Sequence, residues 1–158
     1  MDPIGVRLSG ARITGELSLD YVTIPFPIDL TRCRLTAEAH LVTCRIPMLS
    51  LTGSWTCAVT ADGAAIRYSI YLDGGFRADG EVSLNGAQIG EGLECDEGTF
   101  IGKKGDAIQA NYINVGGAVF LRAGSAFNGS QGRSAPRARC RWSEPESALT
   151  WIARVESF

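Results

Sequence analysis

What most limits this chain is a rhythm of apolar pairs. Pairs of the form apolar–x–apolar begin at Val6, Ala11, Leu17, Val22, Ile28, Cys33, Ala39, Cys44 and Leu49, so the step alternates between five and six residues, with one short step at the end. After a polar interruption at Ser54 and Thr56 the rhythm resumes at Val59, Ala64 and Ile70, and runs on through Phe76, Val82, Ala87 and Leu93. Past a longer gap it returns at Ile108, Ile113 and Val119. Alternation within a pair is the strand period of two, with both apolar residues facing one side. Strands this short do not stand alone. Repeated every five or six residues, they make sense only as the sides of a coil that stacks on itself. Four sides amount to about 22 residues per turn.

Glycine supplies an independent check. The 158 residues include 19 glycines, about twice the usual share of roughly 7 %, and none falls on an apolar pair. Gly10, Gly15, Gly53, Gly63, Gly80, Gly86, Gly90 and Gly116 all lie between pairs, as do Pro25, Pro27 and Pro47. Corners need tight turns and positive φ, which glycine supplies, and proline costs no ladder donor there. The expected result is an all-β, four-sided coil over residues 1–129, a little over five turns and roughly 25 Å long.

Two stretches carry a family resemblance: Val6-Arg7-Leu8-Ser9-Gly10-Ala11-Arg12-Ile13 and Val82-Ser83-Leu84-Asn85-Gly86-Ala87-Gln88-Ile89. Over roughly residues 5–129 the chain resembles the pentapeptide-repeat proteins, although it alternates steps of five and six where that family keeps to five. The resemblance implies a right-handed, four-sided β-helix. It also implies a sharper functional possibility, because some members mimic duplex DNA with an acidic rod, inhibit topoisomerases and dimerise through a C-terminal helix. Here residues 1–132 carry 14 acids against 10 bases, which is weak mimicry.

Between Phe100 and Ile108, keeping phase requires an excursion at one corner, read as an exposed loop over 101–106. Residues 130–142 are polar and basic, read as a linker. Ser143-Glu144-Pro145-Glu146 then has the form of a capping box with proline in the first turn. Leu149, Trp151, Ile152 and Val155 follow near helical spacing, which predicts an amphipathic helix over 143–158. Its expected role is to cap the coil's open end or to pair two rods.

The chemistry-bearing residues are few. A net charge of −2 excludes a strong pull toward nucleic acid or membrane, and neither is an expected partner. Five cysteines without a CxxC pair argue against a zinc site or a disulfide framework, and reduced thiols in a cytoplasmic protein are expected. Cys33 and Cys44 fall in inward slots, and Cys140, in the basic linker, is the expected reactive thiol. His40 is the only histidine and falls in an outward slot. Glu91, Glu94, Asp96 and Glu97 form an acidic edge. It reads first as a solvated surface, and otherwise as a carboxylate pair, Glu94 with Asp96 or Glu97, for a carbohydrate-active β-helix. Stacking the outward residues of the second side puts Arg12, Arg34, Trp55, Arg77 and Thr99 in one column, with Arg32 beside it. Guanidinium groups above and below an indole suit a partner bearing carboxylates or phosphates. The expectation is therefore a non-enzymatic binding scaffold for a protein partner, with no cofactor and no metal. Its alternatives are the topoisomerase-binding mimic, the carbohydrate-active enzyme and an inactive piece of a longer repeat protein.

Overall fold

The computed structural model describes residues 5–103 and 106–121, together with the backbone of 126–129 and 140–143. There is no helix among the described residues, so none is long and apolar enough to cross a membrane. Most strands are two residues long and pair in parallel with the strands one coil before and after. On one side Leu17 pairs with Ala39, Ala39 with Val59, Val59 with Val82 and Val82 with Ile108. The fold is a right-handed parallel β-solenoid of about five coils, about 22 residues apart.

Four sheets form its sides. The first face begins with Val6–Ser9, the second with Arg12–Ile13 and the third with Leu17–Ser18. The fourth begins with Arg45–Ile46, which Thr23 of the preceding coil meets through an isolated bridge. From Ile28 onward every apolar pair of the repeat is buried, giving one continuous core from Ile28 to Leu121. In the first coil Val6 and Leu8 stay 42 % and 43 % exposed, because among the described residues only one neighbouring coil covers them.

The interruption at Ser54 and Thr56 keeps register. Both hydroxyl side chains take inward slots and are fully buried, which turns Trp55 outward. Among the described residues, the corners after the first and third faces each place a left-handed residue in every coil. After the third face these are Tyr21, Thr43, Gly63, Gly86 and Tyr112, with φ between 54° and 64°. Glycine was the expected occupant, yet three of these five carry a side chain. Stacking compensates for the strain: the Tyr21 amide donates to the Val42 carbonyl and the Thr43 amide to the Asp62 carbonyl, both at 2.8 Å. At the same corner the Asp20 carboxylate accepts the Val42 amide at 2.7 Å, and Asp62 and Asn85 accept the Asn85 and Asn111 amides at 2.9 Å.

Other glycines serve close approach instead of turning. A Cβ on Gly90 would lie 2.0 Å from the Arg67 carbonyl oxygen, and one on Gly116 would lie 2.3 Å from that of Gly90. These backbones touch, so only glycine fits.

Toward the C-terminus the structure differs from the sequence reading in two places. Ile101 and Gly102, expected in a loop, extend the strand Thr99–Gly102, which pairs with Ala126–Gly129. Cys140–Ser143, expected to finish the linker and start a helix, is a strand paired with Ile108–Asn111 on the third face. Cys140-x-Trp142 is itself an apolar–x–apolar pair, hidden in the sequence by its arginine-rich surroundings. Residues 144–158, with Leu149, Trp151, Ile152 and Val155 of the expected helix, lie outside the described residues.

Candidate binding surfaces on the solenoid

The second face brings the expected column together. Arg12 pairs with Arg34, Arg34 with Trp55, Trp55 with Arg77 and Arg77 with Thr99, one per coil. The Arg34 guanidinium carbon lies 4.4 Å from the indole centroid, and that of Arg77 lies 5.2 Å from it. An indole between two cations gains about 0.5–1 kcal/mol from each at an exposed site. Asp79, which the sequence reading did not single out, orders this stack. One carboxylate oxygen accepts the indole N–H at 2.7 Å and the other pairs with Arg77 at 2.8 Å. Arg77 is thereby neutralised and the ring fixed, while Arg12, Arg32 and Arg34 remain exposed. Such an array presents a rigid, flat cationic surface whose aromatic centre needs no further ordering on binding.

The acidic edge is spread along one coil. Glu94 points outward on the first face, paired in register with Tyr71 and Phe120. Glu91 precedes that face, and Asp96 and Glu97 lie round the following corner, where Glu97 takes a φ of 59°. Among the described residues no group of three His, Cys, Asp or Glu side chains is placed to hold a metal ion.

A second concentration of acid surrounds the third face. Glu16, Glu38, Glu81 and Asp106 stand at its entry corner and Asp20 and Asp62 at its exit, with no Lys or Arg in the first five coils of this face. His40 is the outward residue between them, with Nε2 3.5 Å from Glu38 and 3.8 Å from Glu16. The sequence signal was available, since each entry acid immediately precedes a third-face strand or falls just before it. Partial burial, then Asp106 and Asp62, push the Glu81 carboxyl above the ordinary carboxylate range against the Gln109 amide, which donates to it at 3.1 Å. A carboxyl raised by folding keeps its proton longer in the folded chain than in the unfolded one. Its favourable contribution is therefore present at low pH and lost as pH rises through the carboxylate range. Glu81→Gln is expected to raise the melting temperature at pH 7, with the gain vanishing near pH ~4. A melting temperature at pH 7 equal to or below that of the parent would count against this repulsion.

The thiols follow the core. Cys33, Cys44 and Cys95 are buried and Cys57 is half-buried. Burial pushes the Cys44 thiol up to about 11, which makes it a poor nucleophile.

The fourth face holds a groove that sequence reasoning missed, with a volume of about 620 Å³. Arg45, Ala65, Gln88 and Asn114 form its outward column, paired coil by coil. Arg67, Gly90 and Gly116 line its far side.

No family model matches this chain, and neither a curated protein nor a solved structure does.

Proposed function

We propose that this chain is a non-enzymatic β-solenoid scaffold that holds an acidic protein partner against its second face. The reading is supported by one observation above others: Trp55 is fixed by Asp79 and faced by the Arg34 guanidinium at 4.4 Å on an exposed wall. Arginine and tryptophan are the residues that most often dominate binding energy when a partner covers them. The pentapeptide-repeat resemblance agrees with a scaffold role, because coils of this kind offer preorganised surfaces. The test is quantitative capture of proteins from the cells that make this chain, comparing the parent with Arg34→Ala and Trp55→Ala. A specific partner should fall at least about tenfold with each variant, corresponding to roughly 1.4 kcal/mol, and should be released by salt. Identical captured sets from all three proteins would overturn the reading.

The acid-lined third face favours a second reading, the DNA-mimicking topoisomerase binder implied by the family resemblance. A gyrase supercoiling assay decides it: inhibition at micromolar protein supports the mimic, and its absence removes it.

A further inference from the structure

The groove on the fourth face is chemically distinct from the second-face column. Its two cations, Arg45 and Arg67, are both exposed, and Arg67 lies diagonally from Arg45, one coil on and two residues past its register partner Ala65. Among the described residues neither has a carboxylate oxygen within 4.0 Å, in contrast to Arg77, which Asp79 neutralises. The Arg67 guanidinium lies 5.4 Å from the ring of Tyr68, itself 43 % exposed. Farther along, Gln88 and Asn114 continue the column of Arg45 and Ala65 with planar amides. Pro25 and Pro47 line the groove beside the arginines, and past Arg67 it is bare, since Gly90 and Gly116 are held to glycine by backbone contact. A volume of about 620 Å³ is within the usual size of ligand sites.

These features select among anions. Guanidinium groups pair bidentately with carboxylates, and planar amides offer a donor and an acceptor together, as adjacent sugar hydroxyls require. A flat floor without side-chain pockets does not suit a peptide, whose specificity comes from pockets for alternate residues. The outward column runs along the solenoid axis, so Arg45, Gln88 and Asn114 stand at multiples of the coil rise of about 4.8 Å, with Ala65 between the first two. A linear chain of pyranose rings advances by a similar step.

We propose that the fourth-face groove binds a linear, carboxylate-bearing oligosaccharide, with Arg45 and Arg67 on uronate carboxylates and Gln88 and Asn114 on ring hydroxyls. Binding here is independent of the second face.

Isothermal titration of the full chain with hexagalacturonate tests this, with maltohexaose, hexaglutamate and inorganic phosphate as comparison probes at about 0.15 M salt. Hexagalacturonate is expected to bind, and Arg45→Gln and Arg67→Gln each to weaken it at least about tenfold. Gln88→Ala should weaken hexagalacturonate as well, and maltohexaose should bind far more weakly than its acidic counterpart. All three side chains are exposed, so unchanged circular dichroism and melting temperature will confirm that the variants fold. Arg7→Gln, on the first face, controls for general charge and should leave binding unchanged. No heat with hexagalacturonate at millimolar concentration would overturn the proposal. So would equal or tighter binding of hexaglutamate or phosphate, or a loss in Arg7→Gln matching that in Arg45→Gln.

Discussion

Alanine at position 76 is expected to lower the stability of this solenoid by about 3–5 kcal/mol, a large part of the roughly 5–15 kcal/mol available to a domain. Phe76 is wholly buried, and its ring centroid lies 5.5 Å from that of Phe100, tilted by 51°. The register stacks Phe76 between Ser54 and Gly98, and Phe100 on Ala78. Phe76 thus lies between small residues in both adjoining coils, and Phe100 meets one in the coil before it. A Cβ on Gly98 would come within 2.6 Å of the Phe100 ring. The backbone around this pair is pinned, with the Arg77 amide on the Ser54 carbonyl and the Thr99 amide on that of Phe76, both at 2.8 Å. Walls held in this way do not collapse into a void, which puts the cost in the upper part of the range for Phe→Ala. Urea denaturation measures it. Phe100→Ala should cost a similar amount, and the double variant less than the sum, because both rings border the same space. A loss below about 1 kcal/mol for Phe76→Ala would mean that neighbouring side chains fill the site.

The inward slots were legible because they depend on a short-range rule. Apolar residues two apart, repeated every five or six positions, leave one way to bury them all, and from Ile28 to Leu121 the pairs take that way. The second-face column followed from the same rule, since outward residues one coil apart must stack. Asp79 did not follow, because its bond to the Trp55 indole joins two coils through side-chain rotamers that spacing leaves open. The corners were half legible. Glycine marked where the chain turns, but Tyr21, Arg32, Thr43, Glu97 and Tyr112 take left-handed φ without being glycine. Tyr21, Arg32 and Thr43 donate their amides to carbonyls of the next coil, bonds that no local pattern displays. The fourth-face groove was hidden for another reason: it is formed by missing side chains at Ala65, Gly90 and Gly116, and an absence has no periodic signal.

The polar interruption in the repeat yields the second large effect. At the left-handed corners the turn is usually closed by a direct bond from an amide to the carbonyl three residues earlier, as from Cys44 to Leu41, Ala64 to Ala61 and Ala87 to Leu84. The turn Leu30–Cys33 is closed differently. The Cys33 amide donates to Ser54 Oγ at 2.9 Å, and that hydroxyl donates in turn to the Leu30 carbonyl at 2.5 Å. A serine from the next coil is therefore inserted into the hydrogen bond of the one before it. Ser54→Ala removes both partners from two buried backbone groups and is expected to cost about 2 kcal/mol. Thr56 is equally buried, but its hydroxyl only meets the carbonyl of its own neighbour Cys57 at 3.0 Å. Thr56→Val is expected to cost less than about 1 kcal/mol, because that bond closes no turn and joins no coils. Urea denaturation of the two variants separates these roles. Equal losses would show that the hydroxyls matter only as buried polar groups, and a Ser54→Ala variant as stable as the parent would show that the Cys33 amide closes directly onto Leu30. A loss confined to Ser54→Ala would identify the interruption as the bond that locks the second coil to the third.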